Sequence, residues 1–599
     1  MSYSITWDLE SIFPGGTQSK ALQEKITEMK TLVKTYESHV QAWEPQQDAP
    51  HFETLEELLK ESATLSQAFG QTISFVNAIQ SADVNNKDAN TLLGTLYSLH
   101  TLFSNAHVTF TKKLTELSDD AWHDLSDTSF AQEHGVLFNL NEIRRDGKEL
   151  LSEREENIIN HLALDGFNAW SSHYDTIVAS IQIEYDGETL SAGQAFNKMM
   201  GDANPQVRAD LFEIWEKTWE EKAPLFADTL NHLQGFRLTN YELHGKSDYL
   251  ETPLTYNRMK KETLEMMWQT ITDNKKAFTD FLTRKAQLFG KEKMEWQDVD
   301  APIILGDLKE KRFTFDEAAE FIIANFKKFS PKMATFAQHA FENAWIEAED
   351  RPGKRPGGYC TGIPESKESR IFMTYGESIN EVATLAHELG HAYHSHVMWD
   401  LPVMSQGYAM NVAETASTFA ELIVADATLK EASSKEEKIS LLDTKLQNAT
   451  AMFLNIHARF IFENKFYQTR QDHVLSVDEI TELMLEAQEE AYQGTLASYH
   501  PHFWASKLHF FIDDVPFYNF PYTFGYLFSM GIYAYAQQSG DNFEDKYIAL
   551  LRDTASMTTE ELAQKHLNVD LTQPDFWQAG IDMVKKDIEE FMTLTEDLV

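Results

Sequence analysis

The chain contains almost no cysteine: Cys360 is the single cysteine among 599 residues. An internal disulfide is therefore excluded, and the cysteine content gives no sign of an oxidising compartment. No apolar run is long enough to cross a bilayer, and the N-terminal residues lack the basic start and apolar segment of a secretory signal. These absences predict a cytoplasmic protein that does not span a membrane.

Basic residues are scarce relative to acidic ones. Lys and Arg number 51 and Asp and Glu number 94, which gives a formal net charge of -43 at pH 7. Such a chain repels the phosphates of nucleic acids and of anionic lipids, and no cluster of Lys and Arg offsets the repulsion. We therefore expect no nucleic-acid partner and no binding to membranes.

Apolar and aromatic residues are present in the amounts that a folded protein needs. Hydrophobic residues make up 42% of the chain and aromatic residues 12%, which indicates an ordered core. A chain of 599 residues exceeds what one compact core usually supports, so two or more lobes are expected. The turn-forming run 201–205 is the best break signal. We predict a helical N-terminal lobe over residues 1–200 and a second domain over residues 201–599.

Most of the chain has the three- and four-residue apolar spacing of amphipathic helices. The ranges with this spacing are 20–40, 53–117, 151–164, 207–242, 262–289, 315–347, 377–399, 411–431, 435–471, 477–493, 524–538, 543–556 and 575–597. Strands are few: 181–185 and 189–190 form a predicted hairpin around Asp186-Gly187, and 370–374 is a further short strand. The pattern predicts a mainly α fold.

The run His387-Glu388-Leu389-Gly390-His391 is the strongest chemical signal in the sequence. Residues i and i+4 share one face of a helix, so the imidazoles of His387 and His391 can reach one metal ion. Glu388 can then reach a water bound to that ion. The range 377–399 has no proline and has helical apolar spacing, which predicts that the motif lies within a helix. Two buried structural histidines are the alternative interpretation.

A catalytic zinc site needs a third protein ligand. The metzincin pattern would require Gly at position 394 and His at position 397, but the chain has His394 and Val397. The segment 411–421 offers Glu414 and Glu421 instead, two helical turns apart among small residues that permit close helix packing. We predict that Glu414 is the third ligand and that Glu421 accepts an imidazole N–H. The alternative is that both carboxylates are merely solvated.

His394 is a competitor for a ligand role. It lies about 10 Å along the helix axis from His387, too far for both imidazoles to bind one ion at about 2.0–2.1 Å. His391 and His394 could form a different pair, but that pairing leaves Glu388 without a role. We therefore favour His387 and His391 as ligands.

Several other stretches carry a recognisable pattern together with this motif. They are Trp7-Asp8-Leu9-Glu10-Ser11-Ile12-Phe13, Arg355-Pro356-Gly357-Gly358-Tyr359-Cys360, Leu385-Ala386-His387-Glu388-Leu389-Gly390-His391-Ala392-Tyr393-His394, Glu414-Thr415-Ala416-Ser417, Glu421, His509 and Pro516-Phe517-Tyr518-Asn519-Phe520-Pro521-Tyr522-Thr523-Phe524-Gly525. Together they resemble the oligoendopeptidase F branch of the thimet oligopeptidase family of zinc metallopeptidases. The resemblance covers essentially the whole chain.

The resemblance implies a large helical ellipsoid divided by a deep substrate channel, with a small β-sheet near the metal site. It implies a zinc-dependent endopeptidase that hydrolyses internal bonds of short unstructured oligopeptides, with residues 201–599 as the zinc-peptidase domain. The implied cofactor is one Zn²⁺, held by His387, His391 and Glu414. Glu388 is the implied general base.

The family's oxyanion-stabilising side chains correspond here to His509, Tyr518 and Tyr522. Between the first two of these, the stretch 512–515 is longer than the usual pattern of the family, so the register of each donor is open. Tyr526 is a further candidate. In an aromatic segment such as this one, each tyrosine is as well explained by core packing.

The family also implies that the strand 370–374 is a sheet edge along which the peptide lies, beside the loop 357–359. An edge strand binds a peptide through backbone groups, so broad specificity is expected. An ordinary buried strand is the alternative. A helical carboxypeptidase with the same zinc motif is the second functional interpretation, and it would need Arg355 or Arg370 to hold a terminal carboxylate. No feature of the sequence indicates an oligomeric state.

Overall fold

The computed structural model of the chain describes residues 2–306, 311–539 and 543–599. Over these residues the fold is mainly α, with two small sheets, as predicted. The helices of the first half are α1 (Lys20–Ala42), α2 (Pro45–Asp48), α3 (Glu53–Ala82), α4 (Lys87–Thr115), α5 (Asp119–Ser126), α6 (Val136–Glu149), α7 (Glu153–Ala163), α8 (Ala169–Ala179), α9 (Ala192–Gly201), α10 (Pro205–Leu243), α11 (Glu251–Tyr256), α12 (Lys261–Asp273) and α13 (Lys275–Leu288).

The second half continues in the same manner. Its helices are α14 (Phe315–Phe329), α15 (Pro331–Glu342), α16 (Ile379–His396), α17 (Met410–Ala413), α18 (Thr415–Glu431), α19 (Lys435–Thr450), α20 (Ile456–Arg470), α21 (Val477–Tyr492), α22 (Phe503–Ser506), α23 (Phe520–Ser539), α24 (Phe543–Asp553), α25 (Thr559–Leu567) and α26 (Pro574–Leu594). Among the described residues, no helix is both long enough and apolar enough to cross a membrane.

The chain divides into two compact units, each built from three separate segments. The first comprises residues 1–150, 310–427 and 535–568, and the second comprises 151–309, 428–534 and 569–599. The predicted boundary at residue 200 lies within the second unit, at the end of α9, and stays a prediction.

The core of the first unit begins with the mutual packing of α1, α3 and α4. Along α1 the buried side chains recur every three or four residues, namely Leu22, Ile26, Met29, Val33, Tyr36 and Val40. This spacing turns one apolar stripe toward the neighbouring helices. Phe103 of α4 joins them, with its ring centroid 5.5 Å from that of Tyr36 and 5.6 Å from that of Phe69 in α3.

The first unit also contains a three-stranded sheet of β3 (Ile346–Glu347), β4 (Tyr359–Ile363) and β5 (Glu368–Phe372), in the order β3-β5-β4. β5 is parallel to β3, where Ile346 is opposite Ile371, and antiparallel to β4, where Tyr359 is opposite Phe372. The expectation that the strand 370–374 is a sheet edge is therefore wrong. Both sides of β5 are paired, because β3 and β4, neither of which was predicted, flank it.

The second unit is organised around the 39-residue helix α10, which contacts α8, α9, α20 and α21. Trp215, Trp219 and Phe226 of α10 are buried within this unit. The predicted hairpin is present as β1 (Gln182–Tyr185) and β2 (Glu188–Ser191). Asp186 and Gly187 both have positive φ, at 51° and 79°, as a two-residue type I′ turn requires.

Candidate metal centre

Helix α16 carries the HExxH motif, and its start is fixed by its own sequence. Ser378 is the N-cap and forms a reciprocal capping box with Glu381, which satisfies two backbone donors at the helix start. Val382, Leu385, Ala386 and Leu389 are buried along one side. The adjoining face presents His387 and His391, whose ring centroids are 4.9 Å apart.

Glu414 meets both imidazoles from a second chain segment. Its Oε2 atom lies 3.3 Å from His387 Nε2 and 3.5 Å from His391 Nε2. One ligand atom from each of these three residues lies within 4.8 Å of the others. The structure therefore brings together the three residues that the sequence predicts as metal ligands.

The chain turns at Glu414, within the range 411–431 that the sequence predicts as a helix or a pair of helices. α17 ends at Ala413 and α18 starts at Thr415. The Thr415 hydroxyl donates to the Val412 carbonyl at 2.7 Å, a side-chain bond that competes with the regular helical pattern. Glu414 thus lies at the junction of the two helices.

Gly390 permits the close approach of α16 and α18. A Cβ atom at this position would lie 2.5 Å from the Ala416 carbonyl oxygen and 2.6 Å from Ser417 Cα. These are backbone atoms, so no side-chain rotation could relieve the overlap. The fourth residue of the motif is therefore glycine for a steric reason.

Two further polar groups orient two of the three candidate ligands, His387 and Glu414. Glu421 Oε2 lies 3.2 Å from His387 Nδ1, so an N–H at Nδ1 donates to this carboxylate and leaves Nε2 directed at Glu414. The Ser417 hydroxyl donates to Glu414 Oε2 at 2.6 Å. Glu421 has the geometry predicted for it, whereas the Ser417 bond was missed, although its i+3 spacing from Glu414 was a usable signal.

The pKa values of His387, His391 and Glu414 depend on one another, because their charges interact. Burial opposes a charge on His387, but hydrogen bonds with Glu414 and Glu421 outweigh burial and raise its pKa to about 10. Burial lowers the pKa of His391 to about 4. Burial disfavours an ionised Glu414, yet His387 and His391 hold its pKa at about 2. A proton and a divalent cation therefore compete for the same imidazole nitrogen.

Glu388 is largely buried, at 7% exposure. Burial raises its pKa to about 7, with the charge of Glu414 adding to the effect and that of His387 opposing it. A Cβ atom at Gly358 would lie 3.8 Å from Glu388 Oε1, so the start of β4 lies beside this carboxylate.

Cys360 also lies in β4, close to Glu388. Burial and the charge of Glu388 raise the pKa of the Cys360 thiol, which disfavours the reactive thiolate.

His394 and His396 have packing roles. His394 is fully buried, stacks on Tyr408 with a centroid distance of 4.1 Å, and places Nε2 2.9 Å from the Thr554 hydroxyl. His396 packs on Phe336, with ring centroids 4.7 Å apart. The alternative ligand pair of His391 and His394 is therefore wrong.

The predicted oxyanion donors lie in the second unit. Ring centroids are 5.3 Å apart between His509 and Tyr518 and 5.8 Å apart between Tyr518 and Tyr522. All three side chains are partly exposed, whereas Tyr526 is buried and packs on Phe453. Burial and the charges of Arg459 and Lys507 lower the pKa of His509 to about 4, so its imidazole is neutral near pH 7.

The long stretch between His509 and Tyr518 is fixed by the side chain of Arg237, an interaction that the sequence does not predict. Arg237 of α10 donates to the carbonyls of Ile512 and Asp513 at 2.9 and 2.6 Å. Its other terminal nitrogen donates to Gln234 Oε1 and to the Tyr467 hydroxyl. No short-range pattern links position 237 to residues nearly three hundred positions away.

The donor set fits a catalytic zinc ion. Such sites use three protein ligands of the imidazole and carboxylate type and keep one position open. Atoms at about 2.0–2.1 Å from a tetrahedral ion are roughly 3.4 Å apart. The distances from Glu414 Oε2 to the two Nε2 atoms, 3.3 and 3.5 Å, agree with that spacing.

Comparisons with known proteins give the same family over the whole chain. The pattern of "Peptidase family M3" matches residues 198–583, and that of "Oligopeptidase F" matches residues 113–183. Oligopeptidase PepF of Bacillus subtilis is 21% identical, over 98% of this chain and 87% of that protein. An oligoendopeptidase F homolog of Lactococcus lactis is also 21% identical, over 99% of this chain and 97% of that protein.

Solved structures share the fold. A chain from Chlamydophila abortus aligns with a TM-score of 0.84 at 21% identity, over 99% of both chains. Oligoendopeptidase-F from Enterococcus faecium aligns with a TM-score of 0.69 at 17% identity, over 96% of this chain and 99% of that chain. With the family pattern covering more than half of its length, the chain belongs to peptidase family M3 and carries an oligopeptidase F region toward its N-terminus.

Proposed function

We propose that the chain is a zinc-dependent endopeptidase that hydrolyses internal bonds of short, unstructured oligopeptides. One observation carries the proposal: His387, His391 and Glu414 each place a potential ligand atom within 4.8 Å of those of the other two. Family membership supports the peptidase activity, and the names of the relatives support oligopeptides as substrates.

His387, His391 and Glu414 would hold the zinc ion. When bound, the ion would lower the pKa of a water molecule and polarise the scissile carbonyl. Glu421 would keep the ligand nitrogen of His387 unprotonated by accepting the N–H at Nδ1, and such outer contacts set ligand orientation and basicity. Cobalt or manganese could replace zinc in the same donor set.

Glu388 is the proposed general base. Burial raises its pKa to about 7, so the carboxylate can accept a proton from the attacking water and later return it to the leaving amine. Efficient proton transfer in both directions requires a pKa near the working pH.

His509, Tyr518 and Tyr522 are the proposed oxyanion donors. A neutral imidazole and a phenol each offer one hydrogen to an oxygen that becomes negative during the reaction. Their assignment rests on the family pattern and on the row of partly exposed rings that they form in the second unit.

The substrate backbone is proposed to pair with β4. Within the described ranges, β4 pairs with β5 on one side and with no strand on the other, and it starts beside Glu388. Backbone pairing along a free edge is nearly independent of side chains. Broad sequence specificity follows, although the strand involved is β4 rather than the one that the sequence suggests.

The exopeptidase alternative needs a cation that binds a terminal carboxylate, and the structure disfavours one of the two candidates, Arg370. Arg370 is 1% exposed, and its guanidinium donates to the Asp8 and Ser369 carbonyls and to Glu368. Its burial and its ion pair with Glu368 disfavour a role in holding a terminal carboxylate. Arg355 is exposed in the loop before β4 and remains the candidate for that role.

A digest of a peptide library, read by mass spectrometry, tests the proposal. The wild type is expected to cut internal bonds in peptides blocked at both ends. Glu388→Gln is expected to retain the metal but lose about 10²–10⁴-fold in rate, the usual contribution of a general base. Removal of single terminal residues alone would favour the exopeptidase, and full activity of Glu388→Gln would contradict the proposed base.

A further inference from the structure

Two cations of the second unit share one aromatic ring. The Arg459 guanidinium carbon lies 5.4 Å from the ring centroid of Phe503, and Lys507 Nζ lies 5.5 Å from the same centroid. Lys507 Nζ also lies 4.9 Å from the ring centroid of Phe196. Arg459 comes from α20 and Lys507 follows α22, so two separate elements direct positive charge at this place.

These cations lack an anionic partner within the part of the chain that the structure describes. Arg459 donates from Nη1 to the neutral amide oxygen of Asn519 at 2.9 Å, and its buried Nε has no hydrogen-bond acceptor. Lys507 has no hydrogen bond or ion pair there. In a chain with 94 acidic residues against 51 basic ones, cations left without a carboxylate are unusual.

The nearby acidic groups do not neutralise the pair. Burial raises the pKa of Glu463 to about 8, so this carboxyl is largely uncharged near pH 7. The carboxyl of Asp300 interacts electrostatically with both cations, but it forms no ion pair with either of them within the described residues. Burial lowers the pKa of Lys507 to about 7, and the charge of Arg459 adds to this effect while Asp300 opposes it.

Desolvated cations of this kind favour a bound anion. A carboxylate placed between them would regain the electrostatic energy that burial costs, and a guanidinium can bind it with paired hydrogen bonds. The site also has aromatic walls in Phe503 and Phe196, which suit the apolar part of a peptide residue.

We propose that Lys507 and Arg459 form a subsite for a carboxylate of the peptide substrate. This inference rests on the proposed function. Lys507 is two residues before His509, and the charge of Arg459 acts on both His509 and Tyr522. The subsite is therefore next to the proposed oxyanion donors, and the carboxylate comes from either the C-terminus or an Asp or Glu side chain.

Matched peptides distinguish these two sources. One pair has the same sequence with a C-terminal carboxylate or a C-terminal carboxamide. A second series is amidated and carries a single Glu, or Gln in its place, at each position in turn. Binding of the fluorescently labelled peptides to Glu388→Gln protein is measured by anisotropy, so the readout does not depend on hydrolysis.

At least one carboxylate placement is expected to bind about tenfold more tightly than its neutral partner, as for a hydrogen bond to a charged group. Lys507→Met is expected to bring that ratio close to one, and Lys507→Arg is expected to retain most of it. The matched control is Lys198→Met, which removes a cation 5.4 Å from the ring of Tyr185 and should leave the ratio unchanged.

Equal binding of every acidic and neutral pair would overturn the subsite, whatever the variants do. A ratio that Lys507→Met leaves intact would also overturn it. The proposed function fails by a different result, namely that wild-type protein cleaves none of these peptides.

Discussion

At the scale of single residues, Glu421 determines how tightly the site binds a metal ion, because it supports the ligand His387. Glu421 accepts from His387 Nδ1 at 3.2 Å, which fixes the ring and leaves Nε2 free to ligate. Without this acceptor the imidazole can rotate and can carry its proton on the ligand nitrogen. Loss of such an outer partner typically lowers metal affinity by about 10–100-fold.

We therefore expect Glu421→Ala to weaken zinc binding by about 10–100-fold while the fold is retained. The measurement is a competition titration against a chromophoric chelator, with circular dichroism as the check on folding. Glu436→Ala, which removes an exposed carboxylate at the start of α19, is the control. Equal affinities of the two variants would show that Glu421 does not support the ligand.

Much of this residue-scale arrangement could be predicted from the sequence, because it depends on spacing within helices. His387 and His391 are one turn apart, and Glu414 and Glu421 are seven residues apart among small side chains. The position of Gly358 beside Glu388 could not be predicted. It depends on where a separate strand lies, and no local pattern encodes that position.

At the scale of elements, the metal centre depends on how closely α16 and α18 approach. We expect Gly390→Ala to destabilise the protein by about 1–3 kcal/mol, the usual cost of forcing extra atoms into a packed interface. Zinc affinity should fall as well, because Glu414 precedes the displaced helix. Thermal unfolding and the chelator competition measure the two effects.

Gly193→Ala is the matched control, since an added Cβ there meets no atom within 4 Å. An exchange of glycine for alanine in an open helical position leaves stability unchanged or raises it by up to about 1 kcal/mol. If Gly390→Ala behaved in the same manner, the close helix contact would not be needed for the site.

A second element-scale prediction concerns the stretch between His509 and Tyr518. Arg237→Met removes both bonds to the Ile512 and Asp513 carbonyls, so the donor rings lose their support. We expect kcat to fall more than KM rises, because the proposed donors act mainly in the transition state. Arg237→Lys keeps the charge but not the forked geometry, and it should recover only part of the loss.

Steady-state kinetics on an internally quenched peptide measure this split. A folded Arg237→Met variant with unchanged kcat would contradict a positioning role for Arg237. A variant whose apparent kcat falls only in proportion to its loss of folded protein, with KM unchanged, would indicate a purely structural role.

Whether a segment is a helix or a strand could be predicted better than which strands pair with each other. The long periodic segments are helices, and the Asp186-Gly187 turn gives its hairpin. The position of β5 between two other strands was mispredicted, because β3 has only two residues and β4 starts within a glycine loop. Neither strand has the alternating pattern that marks a strand in a sequence.

At the scale of the whole molecule, the chain length predicts more than one unit, but the actual division is not readable along the sequence. Each unit takes three separate segments, and such long-range assembly leaves no compositional break. The acidic character is also a property of the whole molecule. The net charge of -43 repels acidic peptides at long range, and the proposed pair of Lys507 and Arg459 acts against this repulsion locally.

The central claim is that one zinc ion, held by His387, His391 and Glu414, gives the chain its endopeptidase activity. The most direct test is a titration of chelator-treated protein with zinc, followed by the rate of cleavage of an internally quenched peptide blocked at both ends. We expect the rate to rise linearly with added zinc and to reach its plateau at one zinc ion per chain. A rate that does not depend on added zinc, or no cleavage at any zinc concentration, would contradict it.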